Sequence, residues 1–260
     1  MIIRDFKEKL LKILLSNDDG YKSKGIKILY NLLKSYGNVI VSAPHKDVSA
    51  CSSYLSVNKN IRVKKLQKNY YVIFGTPADS VHIVTRGILK KLPDIVFSGI
   101  NFGENMGDDV IYSGTVAAAL EGRFCNYASV AVSIASKNPK YLSDITLKIT
   151  PILNLFFQKL YKYNNIFNIN IPDLPFNKIK GIKFTKLGRR NIPKRSKKYH
   201  KINDCVYYDI GDVGNEKIIK GATDFNVVRS GYISITPLSI DMSDKEILNK
   251  LKKKYDKFYK

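Results

Sequence analysis

Short apolar runs alternate with segments of helical periodicity over residues 12–171, and this alternation constrains the fold more than any other feature of the 260-residue chain. Strands that are separated by helices in sequence pair in parallel, and the helices cover both faces of the sheet. The sequence therefore predicts an α/β fold with a mostly parallel sheet. The predicted strands cover residues 12–16, 39–42, 70–74, 94–98, 128–134 and 166–171; the predicted helices cover 26–33, 78–91, 115–124 and 142–161.

Three residues mark expected boundaries within this pattern. Gly37 is placed to end the first helix, Pro44 to end the second strand, and Pro151 to bend the last helix. The residues from 99 to 112 are rich in glycine and asparagine and are predicted to form a loop.

The pattern changes after about residue 178. Strands are predicted at 182–185, 206–210 and 232–236 with fewer helices between them, as in hairpins added to a main sheet. The basic stretch 186–201 is predicted to be a flexible loop, and the residues from 243 to 260 a basic helix. Because no linker separates two units, residues 1–260 are predicted to form one domain, with a core over about 12–178 and an extension over 179–260.

Several protein classes are excluded by composition. No apolar run reaches the roughly 18–20 residues that a membrane span requires. The charged first residues contain no apolar signal core, so we expect a cytoplasmic protein. Cysteines and histidines have neither CxxC pairs nor metal-ligand spacing, which argues against a disulfide framework and against a zinc site.

The formal net charge of +22 invites a nucleic-acid interpretation. However, only 8 of the 44 basic residues are arginine, asparagine and isoleucine are frequent, and tryptophan is absent, a pattern typical of compositional drift in an AT-rich genome. A general attraction for anionic ligands can coexist with such drift. A non-enzymatic nucleic-acid-binding protein remains the alternative, with Tyr199 among lysines as its thin candidate for stacking on a base; no specific nucleic-acid partner is expected.

Oxygen-bearing side chains follow three of the predicted strands. Asp18 and Asp19 follow the first, Ser49 lies beyond the second, and Asn101 follows the strand at 94–98. The carboxyl ends of parallel strands share one edge of the sheet, so these residues are expected to meet there. Two adjacent carboxylates repel one another unless a cation lies between them. Carboxylate, hydroxyl and amide oxygens suit Mg²⁺, Mn²⁺ or Ca²⁺ better than zinc.

A second feature is the Ser113-Gly114-Thr115 turn that opens the predicted helix at Val116. Such a turn offers free backbone N–H groups and two hydroxyls to an anion, although plain N-capping by Ser113 explains it as well. The GxxxxGK[ST] and GxGxxG motifs are both absent, so neither a P-loop nor a dinucleotide-binding motif is indicated.

Together these motifs resemble the SurE (survival protein E) family of metal-dependent 5′-nucleotidases. The resemblance runs from about residue 12 to 238. Ala50 stands where the family often has glycine, and the ten residues at the start precede the usual beginning. The segments that carry the resemblance are LLSNDDG at 14–20, Ala43-Pro44 with Ser49, GTPADS at 75–80, SGINFGENMGDDVIYSGTV at 98–116, NINIP at 168–172 and GYISITPL at 231–238.

The resemblance implies a Rossmann-like three-layer domain with a smaller β-hairpin and helix extension used for oligomerisation, in a homodimer or homotetramer. It implies one divalent cation, Mg²⁺ or Mn²⁺, held by Asp18, Asp19, Ser49 and Asn101. It also implies hydrolysis of nucleoside 5′-monophosphates, and in some members of 3′-nucleotides and short polyphosphate.

A mechanism follows for these residues. Ser113, Gly114, Thr115 and Asn105 are predicted to hold the phosphate, while a metal-activated water attacks phosphorus. Asp18 or Asp19 would accept the proton of that water, and the sequence does not decide between them. Turn and cap roles fit Asp108 and Asp109 better than metal binding.

Overall fold

The computed structural model describes residues 11–255 of the chain. Its strands are β1 Leu11–Ser16, β2 Gly37–Pro44, β3 Val63–Gln67, β4 Tyr70–Ile73, β5 Ile95–Phe102, β6 Ser129–Ile134, β7 Ile166–Ile171, β8 Ile182–Phe184, β9 Lys197–Ile202, β10 Cys205–Asp209 and β11 Ile233–Leu238. Its α-helices are α1 Lys24–Leu33, α2 Pro77–Ile83, α3 Gly114–Glu121, α4 Ile145–Leu155, α5 Asp224–Arg229 and α6 Lys245–Tyr255.

Shorter helical turns extend several of these helices. A π-helical turn over Val84–Ile88 continues α2, and another over Phe156–Leu160 continues α4 beyond Pro151. Turns of 3₁₀ helix lie at Gly107–Tyr112, Gly122–Phe124, Leu142–Asp144, Tyr161–Tyr163 and Phe176–Lys178.

Nine strands form one sheet in the order β3-β4-β2-β1-β5-β6-β7-β11-β8. The six from β4 to β7 are parallel, whereas β3 runs antiparallel to β4 and β11 antiparallel to β7. The predicted mostly parallel α/β sheet is therefore confirmed. The remaining strands, β9 and β10, form a separate antiparallel hairpin.

Helices cover both faces of the sheet because the apolar side chains of its central strands alternate in direction. Ile13 and Leu15 of β1 pack in a cluster with α1 and α4, while Leu14 packs in a second cluster with α2 and α3. All three are fully buried, and each contributes roughly 1.5–3 kcal/mol to folding. The expected three layers are thus present.

The expected boundaries at Gly37 and at residue 99 are wrong, whereas Pro44 ends the second strand as expected. Gly37 begins β2 instead of ending α1, because a side chain there would come within 2.4 Å of the Leu11 carbonyl oxygen. Pro44 is the last residue of β2, where a missing N–H costs nothing and its carbonyl accepts from Tyr21. The expected loop at 99–112 begins late, since β5 continues past a register shift to Phe102.

The extension differs from its prediction in two places. Part of the expected flexible loop at 186–201 is strand β9, paired with β10. Helix α5 was not predicted, since its six residues are too few to give a helical pattern. The predicted terminal helix is present as α6. Residues 256–260 of the prediction, like residues 1–10 of the chain, lie outside the described part. Within residues 11–255, no helix combines the length and apolar character that crossing a bilayer demands.

Candidate functional site

The chain leaves β1 in a tight turn over residues 17–20, here called the acidic turn. The fully buried Asn17 amide donates to the Gly20 carbonyl at 2.9 Å and to the Ser23 hydroxyl at 2.8 Å, which holds the turn against α1. Gly20 has a φ of +90°, and a Cβ there would lie 2.9 Å from the Lys46 carbonyl carbon. Only glycine fits this turn, so the loop after β2 can approach closely.

That second loop reaches the acidic turn through its backbone. The Val48 N–H donates to the Asp18 carbonyl at 3.0 Å. One residue on, the Ser49 backbone N–H and hydroxyl both donate to the Asp47 carboxylate, at 2.8 and 2.6 Å. The loop that carries Ser49 is therefore held against the acidic turn, and Asp47 adds a third carboxylate whose charge raises the pKa of Asp18 and Asp19.

The end of β5 supplies the third side of the site. The Phe102 backbone lies near the Asp19 carboxylate and opposes the rise in its pKa. The neighbouring Asn101 amide nitrogen donates to the Gly103 carbonyl at 2.8 Å, which fixes the orientation of the amide. The register shift of β5 lies between Gly99 and Asn101, directly before the residue that the sequence singles out.

The turn at residues 113–115, here called the anion turn, contacts Asp18 directly. The Thr115 hydroxyl donates to a carboxylate oxygen of Asp18 at 2.5 Å, and a Cβ on Gly114 would lie 2.9 Å from the Asp18 Cβ. Ser113 caps α3 by accepting from the Val116 N–H at 3.1 Å, which leaves its hydroxyl hydrogen available. The plain capping role of Ser113 is thus present, and the turn also lies against the acidic turn.

Thr115 has a contact that the sequence did not predict. Its hydroxyl is directed at the Asp18 carboxylate, and its side chain is fully buried. Thr115 therefore holds the Asp18 carboxylate in place. Its role as a phosphate ligand stays a prediction.

Ionisation of the carboxylates in the acidic turn is energetically unfavourable. Burial, followed by the charges of Asp18 and Asp47, raises the pKa of Asp19 to about 7. Burial also raises the pKa of Asp18, against the opposing hydrogen bond from Thr115. Among residues 11–255, no lysine, arginine or histidine forms an ion pair with either aspartate. A bound cation would remove this cost.

The donors suit a hard cation in kind and number. In the described part of the chain, no group of three or more histidine, cysteine, aspartate or glutamate side chains has the geometry of a metal site. The Ser49 hydroxyl and the Asn101 amide oxygen stay predicted ligands beside the two aspartates. Oxygen donors of this kind suit hard divalent cations.

Asn105 lies in a buried amide network beyond the anion turn. Its side-chain nitrogen donates to the Ser133 hydroxyl at 2.8 Å, and its backbone carbonyl accepts from Asn168 and Asn170 at 2.7 and 2.9 Å. The backbone N–H of Asn105 donates to Asn170 at 2.9 Å. Asn105 is thus rigidly held, and its role as a phosphate donor stays a prediction.

These contacts place the acidic turn, Ser49, Asn101 and the anion turn at the carboxyl edge of the sheet. A family model described as survival protein SurE matches residues 13–194. The chain belongs to the SurE family. It is 39% identical over 241 residues to the 5′-nucleotidase SurE of Legionella pneumophila (strain Lens), covering 93% of this chain and 96% of that protein.

Further members of the SurE family agree over nearly the whole chain. The 5′-nucleotidase SurE of Histophilus somni (strain 2336) is 41% identical over 247 residues, which is 95% of this chain and all of that protein. The crystal structure of the SurE protein from Aquifex aeolicus superposes with a TM-score of 0.80 at 36% identity, covering 93% of this chain and 98% of that one. The resemblance seen in the motifs is confirmed.

Acidic residues that follow β5 are paired with arginines of the extension. The guanidinium of Arg190 contacts Asp109 at 2.7 Å and Glu104 at 3.6 Å, and that of Arg229 contacts Glu104 at 2.9 Å. We call this group the arginine clamp, and it also includes Glu216, which is paired with Arg229. Asp108 accepts from the Arg190 backbone, so the turn roles expected of Asp108 and Asp109 agree with these contacts.

A buried carboxylate completes the link between loop and extension. Asp224 is fully buried and accepts three backbone N–H groups, from Gly107 at 2.8 Å, Gly188 at 2.7 Å and Phe225 at 2.9 Å. Sequence reasoning missed Asp224, the arginine clamp and Asp47. Only Asp47 had a local signal, since Asp-Val-Ser is the spacing of an aspartate that accepts from the backbone two residues on.

Proposed function

We propose that the chain is a metal-dependent phosphomonoesterase that hydrolyses nucleoside 5′-monophosphates to nucleoside and phosphate. The observation that carries this proposal is the contact between Asp18 and the anion turn at Gly114 and Thr115. An anionic phosphate beside two carboxylates is stable only with a cation between them, so the two features support one site. Nucleoside 3′-monophosphates and short polyphosphate are further candidate substrates.

Asp18, Asp19, Ser49 and Asn101 would hold one divalent cation, Mg²⁺ or Mn²⁺. Their fit is supported by the raised pKa of both aspartates and by the absence, among the described residues, of an ion pair to either. When bound, such a cation polarises a phosphoryl oxygen, offsets charge that develops in the transition state and acidifies water.

The protein's own residues orient the phosphate. The Ser113 hydroxyl hydrogen and the Gly114 N–H face an anion at the first turn of α3, where the helix dipole also favours negative charge. Thr115 and Asn105 complete the set that the sequence predicts. Because Gly114 lies against Asp18, a phosphate bound there meets the acidic turn at once.

One of the two aspartates would accept a proton from the attacking water. Asp18 already accepts from Thr115 and is buried, whereas Asp19 is only half-buried. Asp19 is therefore the better placed base, and Asp18 the better held ligand.

The deciding experiment measures phosphate release from a panel of nucleoside monophosphates, for the native chain and for Asp19→Asn. We expect release that depends on Mg²⁺ or Mn²⁺, with the variant slower by about 100-fold or more, the scale of losing a major electrostatic contribution. Asp212→Asn is the matched control, because Asp212 is exposed and paired only with Lys194 among its described contacts. An Asp19→Asn variant as fast as the native chain would refute the role of Asp19.

Metal removal provides an independent test. The native chain is treated with EDTA, and activity is followed as Mn²⁺, Mg²⁺ or Ca²⁺ is added back. We expect activity to vanish with EDTA and to return with a hard cation. Undiminished release in EDTA would argue against a metal-dependent reaction, and strong, salt-sensitive RNA binding without release would favour the nucleic-acid alternative.

We further propose a cytoplasmic, self-associating, single-domain protein. Strands β8 and β11 of the extension join the main sheet, which supports one domain. No residue of α6 is buried, and its half-exposed Ile247, Leu248 and Leu251 supply apolar surface for a second copy, in a homodimer or homotetramer. Light scattering of the purified chain measures the mass, and a monomer at micromolar concentration would contradict self-association.

A further inference from the structure

A cavity of about 610 Å³ opens beside the acidic turn, and its lining includes Asp19 but none of residues 113–115. It lies between the start of α1, the end of β5 and the loop that follows β6. Residues that line it include Asp19, Ser23, Lys24, Phe102, Lys137 and Lys140. The volume falls in the range of small-molecule sites and far exceeds what one phosphate group needs.

The cavity is strongly cationic. Three lysines, Lys24, Lys137 and Lys140, line it against the single carboxylate of Asp19. All three are exposed, and none forms an ion pair with another residue of the described range 11–255. This cavity therefore favours an anion in its interior.

Lys24 is placed unfavourably for helix stability. It is the first residue of α1, whose first turn contains no acidic residue, so its ammonium group lies at the positive end of the helix dipole. A cation at that position weakens the helix unless an anion is bound near it. The start of α1 is nevertheless fixed, because a Cβ on Gly25 would lie 1.9 Å from the Ile100 carbonyl oxygen of β5.

The opposite wall of the cavity is anchored by hydrogen bonds from two neighbouring segments. The Asp173 carboxylate accepts from the backbone N–H groups of Lys140 and Tyr141, at 2.8 and 3.1 Å. Lys148, only 2% exposed, donates to the Tyr141 carbonyl at 3.2 Å. The backbone that presents Lys140 is therefore anchored before any ligand arrives, which lowers the cost of binding.

We propose that this lysine cavity binds a second phosphate, carried on the leaving group of the substrate. The proposal rests on the proposed function, since it places the reacting phosphate at the anion turn and the leaving group across Asp19. A nucleoside alone is neutral and has no charge to offer three ammonium groups. The leaving group of a nucleoside 3′,5′-bisphosphate still carries a negatively charged phosphate. Phe102 supplies an apolar surface for its sugar or base.

The test compares two substrates in one assay. The ratio of kcat/KM for adenosine 3′,5′-bisphosphate to that for adenosine 5′-monophosphate is measured with Mn²⁺, for the native chain and for the double variant Lys137→Ala with Lys140→Ala. We expect the ratio to fall by about tenfold or more, as for the loss of one or two charged hydrogen bonds. A ratio within twofold of the native one overturns the proposal.

The matched control is Lys159→Ala with Lys162→Ala. Both lysines are exposed and precede β7, at the other end of the strands, so this pair should leave the ratio unchanged. A fall in both variants would mean that overall charge, and not this cavity, sets the preference. Inorganic tripolyphosphate serves as a second probe: if only its hydrolysis responds to the cavity variant, an inorganic chain and not a nucleoside bisphosphate is the occupant, and the nucleoside assignment falls.

Binding separates this proposal from the proposed function. The affinity for adenosine 3′,5′-bisphosphate is measured by calorimetry in EDTA, where no turnover is expected. A loss of about tenfold in the cavity variant would support the lysine subsite even if no substrate were hydrolysed. Equal affinity of the native chain and the variant would overturn the subsite while leaving phosphatase activity at the acidic turn intact.

Discussion

Two acidic groups lie on neighbouring loops of this SurE-family chain, and they are balanced in opposite ways. In the arginine clamp, Glu104 and Asp109 are paired with Arg190 and Arg229. In the acidic turn, Asp18 and Asp19 have no such partner among residues 11–255. Carboxylates that the fold itself neutralises serve structure, whereas buried or half-buried carboxylates without a counter-charge are available to a ligand.

The largest expected difference concerns Asp18→Asn in the acidic turn. We expect phosphate release to fall by about 100-fold or more, since a charged ligand of the cation is lost. The thermal midpoint in EDTA should stay level or rise, because the substitution removes a buried charge whose pKa is raised and keeps an oxygen for Thr115. Activity assays and a thermal melt check this; a midpoint several degrees lower would place Asp18 with the structural carboxylates instead.

The arginine clamp should respond in the opposite sense. Arg190→Ala leaves Asp109 and Glu104 short of a counter-charge at a side chain that is 14% exposed, so we expect the free energy of unfolding to fall by about 1–3 kcal/mol. Urea unfolding measures this. The control is Lys194→Ala, whose partner Asp212 is exposed, and it should leave the urea midpoint unchanged. Equal effects of the two variants would remove the distinction between clamp and surface.

Lys148 is a buried lysine without a carboxylate partner among the described ion pairs, and its effect on stability should depend on pH. Burial lowers the pKa of Lys148 from 10.5, so between the folded-state value and 10.5 the unfolded chain holds more protons than the folded one. Native stability then rises with pH in that window. We expect the free energy of unfolding of Lys148→Met to exceed that of the native chain most at neutral pH. This difference should narrow as pH approaches 10.5. Urea unfolding at several pH values tests this, and a constant gap would contradict it.

The smallest expected effect is at Ala50, beside Ser49. Ala50 has a φ of +57°, which costs an L-residue roughly 1–2 kcal/mol and glycine almost nothing. Glycine loses about 0.4–1 kcal/mol more chain entropy, so Ala50→Gly should stabilise the fold by up to about 1 kcal/mol. Ala78→Gly, within α2, should destabilise it by a similar amount. If unfolding measurements gave both variants the same sign, the strain assigned to Ala50 would be wrong.

The sequence predicted the central sheet well because its strands are buried on both faces. The apolar runs that became β1, β5 and β7 admit few other interpretations. Strand β3 was missed because all five of its residues are exposed and two are lysines, so it has no apolar pattern. Strand β9 was hidden for the same reason within a basic stretch.

The site was predictable to the level of loops and not of side-chain contacts. Parallel strands bring Asp18, Ser49 and Asn101 to one edge, whatever the detail of the loops. That the Thr115 hydroxyl points to Asp18 depends on the rotamer and packing of a buried side chain, which spacing does not encode. The same holds for Asp224, which has two glycines more than 30 residues away in sequence among its three partners.

Gly114 has a consequence that reaches beyond its turn. A methyl group there would lie 2.9 Å from the Asp18 Cβ, so the start of α3 and the end of β1 pack too closely to admit a side chain at this position. Replacing this residue with a larger one would separate the anion turn from the acidic turn, although no proposed ligand or base would itself be changed.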